Sequence, residues 1–213
     1  MEQQLQHAVA VLKGGGVVAY PTDTVYGLGA DIFNEKAVGR IYQIKQRLIY
    51  QPLPILLADK FEMAMMAAAM PEIAWLLAEH FLPGGLTLIV RKSSLVPPWV
   101  TAGGDTVAVR IPNHPITLAL IRDLGKPLIG TSANLSGLPS PVSTREVRHQ
   151  LGDKVDFILD GGRCPGGIES TVVDVTGEAP MILREGSVSR EEIERILPGS
   201  VVRGQGSGRI AGH

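Results

Sequence analysis

Two short polar clusters hold the side chains best suited to chemistry: Lys45-Gln46-Arg47 and Ser132-Ala133-Asn134. Each lies in a stretch cleared of acid. Residues 37–58 contain no Asp or Glu but carry three cations, Arg40, Lys45 and Arg47, and residues 124–145 contain no acid either. A lysine, an arginine and small hydroxyl side chains kept clear of negative charge suit a polyanion, most plausibly a nucleoside triphosphate. The second cluster continues through Ser136 to Ser140. Its hydroxyls and backbone N–H groups can hold phosphate or ribose oxygens.

Two further arginines end apolar runs. Arg110 follows Val107-Ala108-Val109 with no acid between Thr106 and Arg122. A ligand carboxylate is a natural partner, and the bidentate geometry suits an amino acid; the alternative is a guanidinium that snorkels to the sheet edge. Arg184 presents the same choice. Ile168-Glu169-Ser170-Thr171 precedes a strand, with the glycine pairs 161–162 and 166–167 nearby. These glycines allow close backbone approach to a ligand, or simply make turns.

Other chemistries find no carrier. No glycine-rich loop ends in Gly-Lys-Ser/Thr, and no Gly-x-Ser-x-Gly elbow occurs. The five histidines and the single cysteine, Cys164, show no metal-ligand spacing. Gly204-Gln205-Gly206-Ser207-Gly208 is glycine-rich but has no helix after it.

The elements that must position these clusters alternate between helix and strand. Leu5, Ala8, Val9 and Leu12 recur at helical spacing before Gly14-Gly15-Gly16. Gly16–Tyr20 reads as a strand, and residues 21–29 as a glycine-containing loop. Asn34 can cap a helix carrying Ala37, Val38, Ile41 and Tyr42, with Lys45 and Arg47 at its C-terminal end. Strands are predicted at 53–58, 86–90, 106–111, 127–130, 155–159, 171–176 and 181–183, and helices at 61–81 (interrupted at Pro71) and 115–124. Ser189-Arg190-Glu191-Glu192 is a capping-box signature opening a last helix to Leu197. The alternation predicts an α/β fold, a twisted mixed sheet flanked by helices, with ligand residues in loops just after strands. Residues 1–200 are expected to form one catalytic domain and 201–213 a loose glycine-rich tail.

The 213 residues are 45% hydrophobic and 19% charged, enough apolar material for a substantial core. Twenty Lys+Arg balance 21 Asp+Glu, which argues against binding nucleic acid by charge alone. One cysteine fits a reducing compartment. The N-terminus does not resemble a signal peptide, and no run approaches the roughly 20 apolar residues of a membrane span. A cytoplasmic protein with no membrane partner is expected.

Taken together, these residues resemble the YrdC family of threonylcarbamoyl-AMP synthases. Its hallmark, Lys-x-Arg with a later Ser-x-Asn, is met by Lys45/Arg47 and Ser132/Asn134. The match extends to residues 21–29, Pro83–Thr87, Thr106–Pro112, Glu169–Asp174 and Leu183–Gly186, and it covers roughly residues 5–200. The resemblance implies a YrdC-like α/β domain with a concave ligand groove. The implied reaction takes L-threonine, bicarbonate and ATP to threonylcarbamoyl-AMP and pyrophosphate, for the threonylcarbamoyladenosine modification of tRNA. By motif, Thr24, Arg110, Gly130 and Ser170 surround threonine. Arg47, Gln51, Thr106, Ser132, Asn134, Ser140 and Arg184 hold ATP, and Lys45 and Arg47 act on the leaving pyrophosphate. Magnesium is expected on the ATP phosphates, bound by ligand and water rather than by a protein cage. The expected partners are a tRNA-modifying threonylcarbamoyl transferase complex and, weakly, RNA.

Two positions depart from the family. Leu48 stands where many members have proline, which predicts a less rigid loop. Leu56 replaces a histidine of longer members, which removes a substrate contact. The sequence resembles the short form. The alternatives are an RNA-binding YrdC/YciO-like paralogue without adenylation activity, and an enzyme for another carbamoyl substrate.

Overall fold

Alternation of apolar and capping residues divides the described residues into seven α-helices, one 3-10 turn at Gly152–Lys154 and eleven short strands. The structure is a computed structural model that describes residues 1–200 and the backbone of Val202–Arg203. The remainder of the expected tail, with its glycine-rich motif, lies outside the described residues. The helices are α1 (Glu2–Lys13), α2 (Glu35–Lys45), α3 (Lys60–Met66), α4 (Glu72–Phe81), α5 (Pro115–Leu124), α6 (Thr144–Leu151) and α7 (Arg190–Ile196). The strands are β1 (Val18–Tyr20), β2 (Gly27–Gly29), β3 (Ile55–Leu56), β4 (Leu86–Arg91), β5 (Thr106–Arg110), β6 (Leu128–Ile129), β7 (Thr131–Ser132), β8 (Phe157–Ile158), β9 (Thr171–Asp174), β10 (Met181–Arg184) and β11 (Val202–Arg203).

The α/β expectation holds, with two mixed sheets in place of one. The smaller is ordered β7-β2-β1-β8 and the larger β11-β10-β9-β4-β5-β3-β6. The sheets meet at Gly130. β6 pairs antiparallel with β3 in the larger sheet, and two residues later β7 pairs with β2 in the smaller one. The strand expected at 127–130 therefore changes sheets as it enters the serine–asparagine cluster.

Residues 21–29, expected as a loop throughout, contain β2, which folds back antiparallel on β1 with Tyr20 opposite Gly27. The glycines belong to the pairing. A Cβ on Gly27 or Gly29 would lie 2.5 or 2.7 Å from the Tyr20 ring, so the strand can lie there only without side chains. The strand expected at 53–58 pairs only at Ile55–Leu56, because Pro52 and Pro54 lack the N–H donor a ladder needs. Helix α6 was not expected. Ser143 caps it, its side chain accepting from the Glu146 amide.

Two hydrophobic clusters hold the layers. The larger joins Ile41 of α2, Leu77 of α4, Leu88 of β4, Val109 of β5 and Ile193 of α7. The smaller joins Leu12 of α1, Leu120 and Leu124 of α5, and Val18, Leu56 and Leu128 of the strands. Along β5, Val107 and Val109 are buried while Thr106 and Ala108 are partly exposed. Strand alternation puts Arg110 on the face of Thr106 and Ala108. That face carries Arg110 toward Asp23 and Thr24.

No helix among the described residues is long and apolar enough to cross a membrane.

Candidate active site

The cation end of the site is built by how α2 stops. Asn34 caps its start, accepting from the Ala37 amide at 3.1 Å. At the other end Gln46 takes a left-handed conformation, φ +51°. That reversal separates the two cations in fate. Lys45 is 2% exposed. Its ammonium donates to the Ser132 carbonyl, to the Asn134 carbonyl at 2.8 Å and to Asn134 Oδ1 at 3.2 Å. All three protons are used within the protein. Burial, then the neighbouring Arg47, lowers its pKa to about 8.

Asn134 is equally engaged. Its Nδ2 donates to the carbonyls of Leu135 and Leu138, at 3.0 and 2.7 Å. The Lys-x-Arg and Ser-x-Asn clusters are therefore one clamp, in which the lysine gathers the loop after β7. Arg47 is the cation left for a ligand. It donates to the Pro52 carbonyl at 3.1 Å, and its buried Nε has no partner. Burial holds its pKa below the ordinary arginine value. Gln51 lies in the same loop, its carbonyl accepting from the Tyr42 hydroxyl at 2.9 Å.

Arg110 has a carboxylate partner within the protein that the sequence did not disclose: Asp23, at 2.7 Å. The acid-free stretch around Arg110 says nothing of the turn between β1 and β2, which delivers Asp23 from 87 residues away. The same guanidinium donates to Thr24 Oγ1 and to the Gly84 carbonyl, each at 2.9 Å. Arg110 is 7% exposed and Thr24 1%. Three of the five guanidinium protons are committed; two are left for a substrate.

Ser170 sits beside this pair. Its hydroxyl is 2.8 Å from that of Thr87, and both are buried. Arg184 donates twice to the Ser170 carbonyl, at 3.0 and 3.1 Å, and its Nη1 pairs with Glu169. Glu169 also accepts from Ser140 at 2.5 Å. Burial pushes the Glu169 pKa up, but Arg184 and the Ser140 and Ser132 hydroxyls outweigh it, so the carboxyl titrates below its usual range. The surroundings of the two clusters are therefore acid-free in sequence but not in space. Glu169 is the site residue that the sequence reading passed over, although it stands in the quoted Glu169–Asp174 segment.

Gly130 lies where the sheets exchange, its amide donating to the Pro54 carbonyl at 2.8 Å. A Cβ there would meet the Leu56 side chain at 2.5 Å. Leu56 is 2% exposed and belongs to the smaller cluster, so this departure from the family is filled by core packing. Leu48 is half exposed, beside the more exposed Ile49 and Tyr50. Thr106 shares a sheet face with Arg110 but is four residues away, roughly 13 Å along the strand.

The result is a groove with two unlike ends. One, around Arg47, Ser132, Ser140 and Arg184, suits phosphate oxygens. The other gathers the buried hydroxyls of Thr24 and Ser170 and the buried guanidinium of Arg110. Among the described residues, no group of three or more His, Cys, Asp or Glu could hold a metal ion.

Known proteins share this architecture. The model of the Sua5/YciO/YrdC domain, described as "Telomere recombination", matches residues 10–186. The chain belongs to the Sua5/YciO/YrdC family. It is 44% identical to the threonylcarbamoyl-AMP synthase of Pyrococcus abyssi over 196 residues, 92% of this chain and 58% of that protein. It is also 44% identical to the Bacillus subtilis threonylcarbamoyl-AMP synthase, covering 92% of this chain and 57% of that protein. The crystal structure of P. abyssi Sua5 complexed with L-threonine superimposes with a TM-score of 0.92 at 43% identity, covering 96% of this chain and 60% of that one. The chain thus spans a little over half the length of these curated relatives.

Proposed function

We propose that this chain is a threonylcarbamoyl-AMP synthase, a nucleotidyltransferase that joins L-threonine, bicarbonate and ATP and releases pyrophosphate. The observation that carries the reading is the Arg184 side chain. One guanidinium reaches the Ser170 carbonyl of the hydroxyl end and the Glu169–Ser140 pair of the cation end, so the two halves of the groove abut. The names of the relatives and the threonine complex of the P. abyssi protein supply the substrate class.

In this reading the hydroxyl end binds threonine through the two free N–H groups of Arg110 and the hydroxyls of Thr24 and Ser170. The threonine amine attacks the carbon of bicarbonate-derived carbon dioxide and gives up a proton, forming a carbamate. A carbamate oxygen then attacks the α-phosphorus, and the bond to the β-phosphate oxygen breaks. Arg47 and the field of Lys45 offset the charge that builds on the departing pyrophosphate. Gln51, Thr106 and Ser132 order the nucleotide, with Asn134 acting through the loop it braces, and the site holds the reactants in line. Magnesium carried in on the phosphates would add charge neutralisation there. The product would pass to the transferase complex that modifies tRNA.

The test is pyrophosphate release from ATP with labelled bicarbonate, with and without threonine, on protein shown to be folded. Threonine-dependent release is expected, with serine a poorer substrate. No release would refute the reading. Tight RNA binding without detectable ATP binding would instead select the RNA-binding alternative.

A further inference from the structure

Glu169 places a carboxylate where the site otherwise gathers cations and hydroxyls. It is held at both oxygens: Oε1 by the Ser140 hydroxyl at 2.5 Å, Oε2 by Arg184 Nη1. Lys45 and Arg47 lie close enough for its charge to act on both. The Glu169–Arg184 pair is half exposed, with side chains 32% and 48% accessible, so it can open at modest cost. The groups that hold Glu169 are the ones an incoming phosphate would need. A polyanion cannot take Ser140 and Arg184 while the carboxylate keeps them, because two anions sharing one cation repel.

We infer that Glu169 is an internal counter-anion that holds the phosphate partners Ser140 and Arg184 and must be displaced by the nucleotide. It thereby sets nucleotide affinity and speeds release of anionic product. The inference rests on the reading of the cation end as an ATP site. Gly186 makes the exchange local. A Cβ there would lie 2.1 Å from the Glu169 carbonyl, so the two backbones run in close contact, and the Ser187 amide donates to that carbonyl at 2.9 Å, which holds the main chain while the side chain swings. Displacement would send the carboxylate outward, where it is already partly exposed.

The test compares wild-type protein with Glu169→Gln by calorimetric titration with ATP, AMP and inorganic tripolyphosphate. The amide keeps one acceptor oxygen for Arg184, its NH2 can donate to the Ser140 hydroxyl oxygen, and the charge is lost. Glu169→Gln is expected to bind ATP about fivefold more tightly, the equivalent of a half-exposed ion pair, with a smaller gain for AMP. The gain should shrink as salt is raised. Equal or weaker ATP binding by a folded Glu169→Gln protein would overturn the inference, since the carboxylate would then be neutral toward the nucleotide or help to hold it. If neither protein binds ATP, the nucleotide reading fails by itself, and tripolyphosphate still decides the inference. Tighter tripolyphosphate binding by the variant supports the inference, and its absence refutes it.

Discussion

Lys45 offers a perturbation that needs no mutation. Its pKa of about 8 places its titration within the range where the protein can be handled. With that value about nine-tenths of the side chains are charged at pH 7 and about one-tenth at pH 9. A neutral amine brings two protons to three acceptors, so one of the Ser132 and Asn134 contacts must open as the charge is lost. Both changes weaken the phosphate end. ATP affinity measured without threonine should therefore fall about tenfold from pH 7 to pH 9, with a midpoint near 8. Binding is the right assay because the threonine amine itself titrates in this range and would distort a rate profile. Stability should move the other way. The folded pKa lies below the ordinary 10.5, so the native chain binds fewer protons than the unfolded chain between those values. Stability contributed by this group accordingly rises as pH increases through that window, by at most roughly 3 kcal/mol. Denaturant titrations at pH 7.5 and 9.5 would show it. Lys45→Arg, which stays charged, should remove the basic limb from ATP binding wherever it folds. ATP affinity that is flat to pH 9.5 in the wild-type protein would refute the reasoning.

Three further outcomes follow from individual contacts. Arg47→Ala should reduce turnover with ATP by about 10- to 100-fold, the worth of a hydrogen bond to a charged group. It should leave the melting temperature unchanged or raised, because the buried Nε has no partner; a large loss of stability would contradict its assignment to the ligand. Asp23→Asn leaves the buried Arg110 without its counter-ion and should cost about 3 kcal/mol in denaturant titration, together with threonine binding. Gly27→Ala drives a methyl into the Tyr20 ring and should cost about 1–3 kcal/mol. Unchanged unfolding of Gly27→Ala would show that β2 can shift away.

What the sequence disclosed depended on range. Helix α2 was legible because Asn34, the apolar stripe and the final lysine are neighbours in the chain. The same holds for the capping box at Ser189, where both reciprocal bonds are present. β2 was hidden because Gly27 and Gly29 read as loop residues, whereas their need for glycine comes from the ring of Tyr20 across the hairpin. Helix α6 had a legible signal, Ser143 three residues before Glu146, masked by its largely polar sequence. The site divides in the same way. The residues of both clusters were recognisable by type, but their division of labour was not. That Lys45 is consumed by the Ser-x-Asn loop and that Asp23 answers Arg110 are contacts across 87 or more residues, and Glu169 meets Ser140 across 29. Charge counted along a chain cannot see them.

The passage of one strand between two sheets at Gly130 bears on how this chain can be cut and lengthened. From Leu128 to Ser132, four residues are paired in two different sheets with only Gly130 between them. One residue added there would turn Ser132 and Asn134 to the opposite side of the strand and break the lysine clamp. The segment 102–105 is the reverse case: exposed, with Gly103 at φ +79° and no neighbour that a Cβ would meet. A circular permutation or a two-fragment version of the protein should open there, and a gene library of insertions should be populated at 102–105 and empty across 128–132.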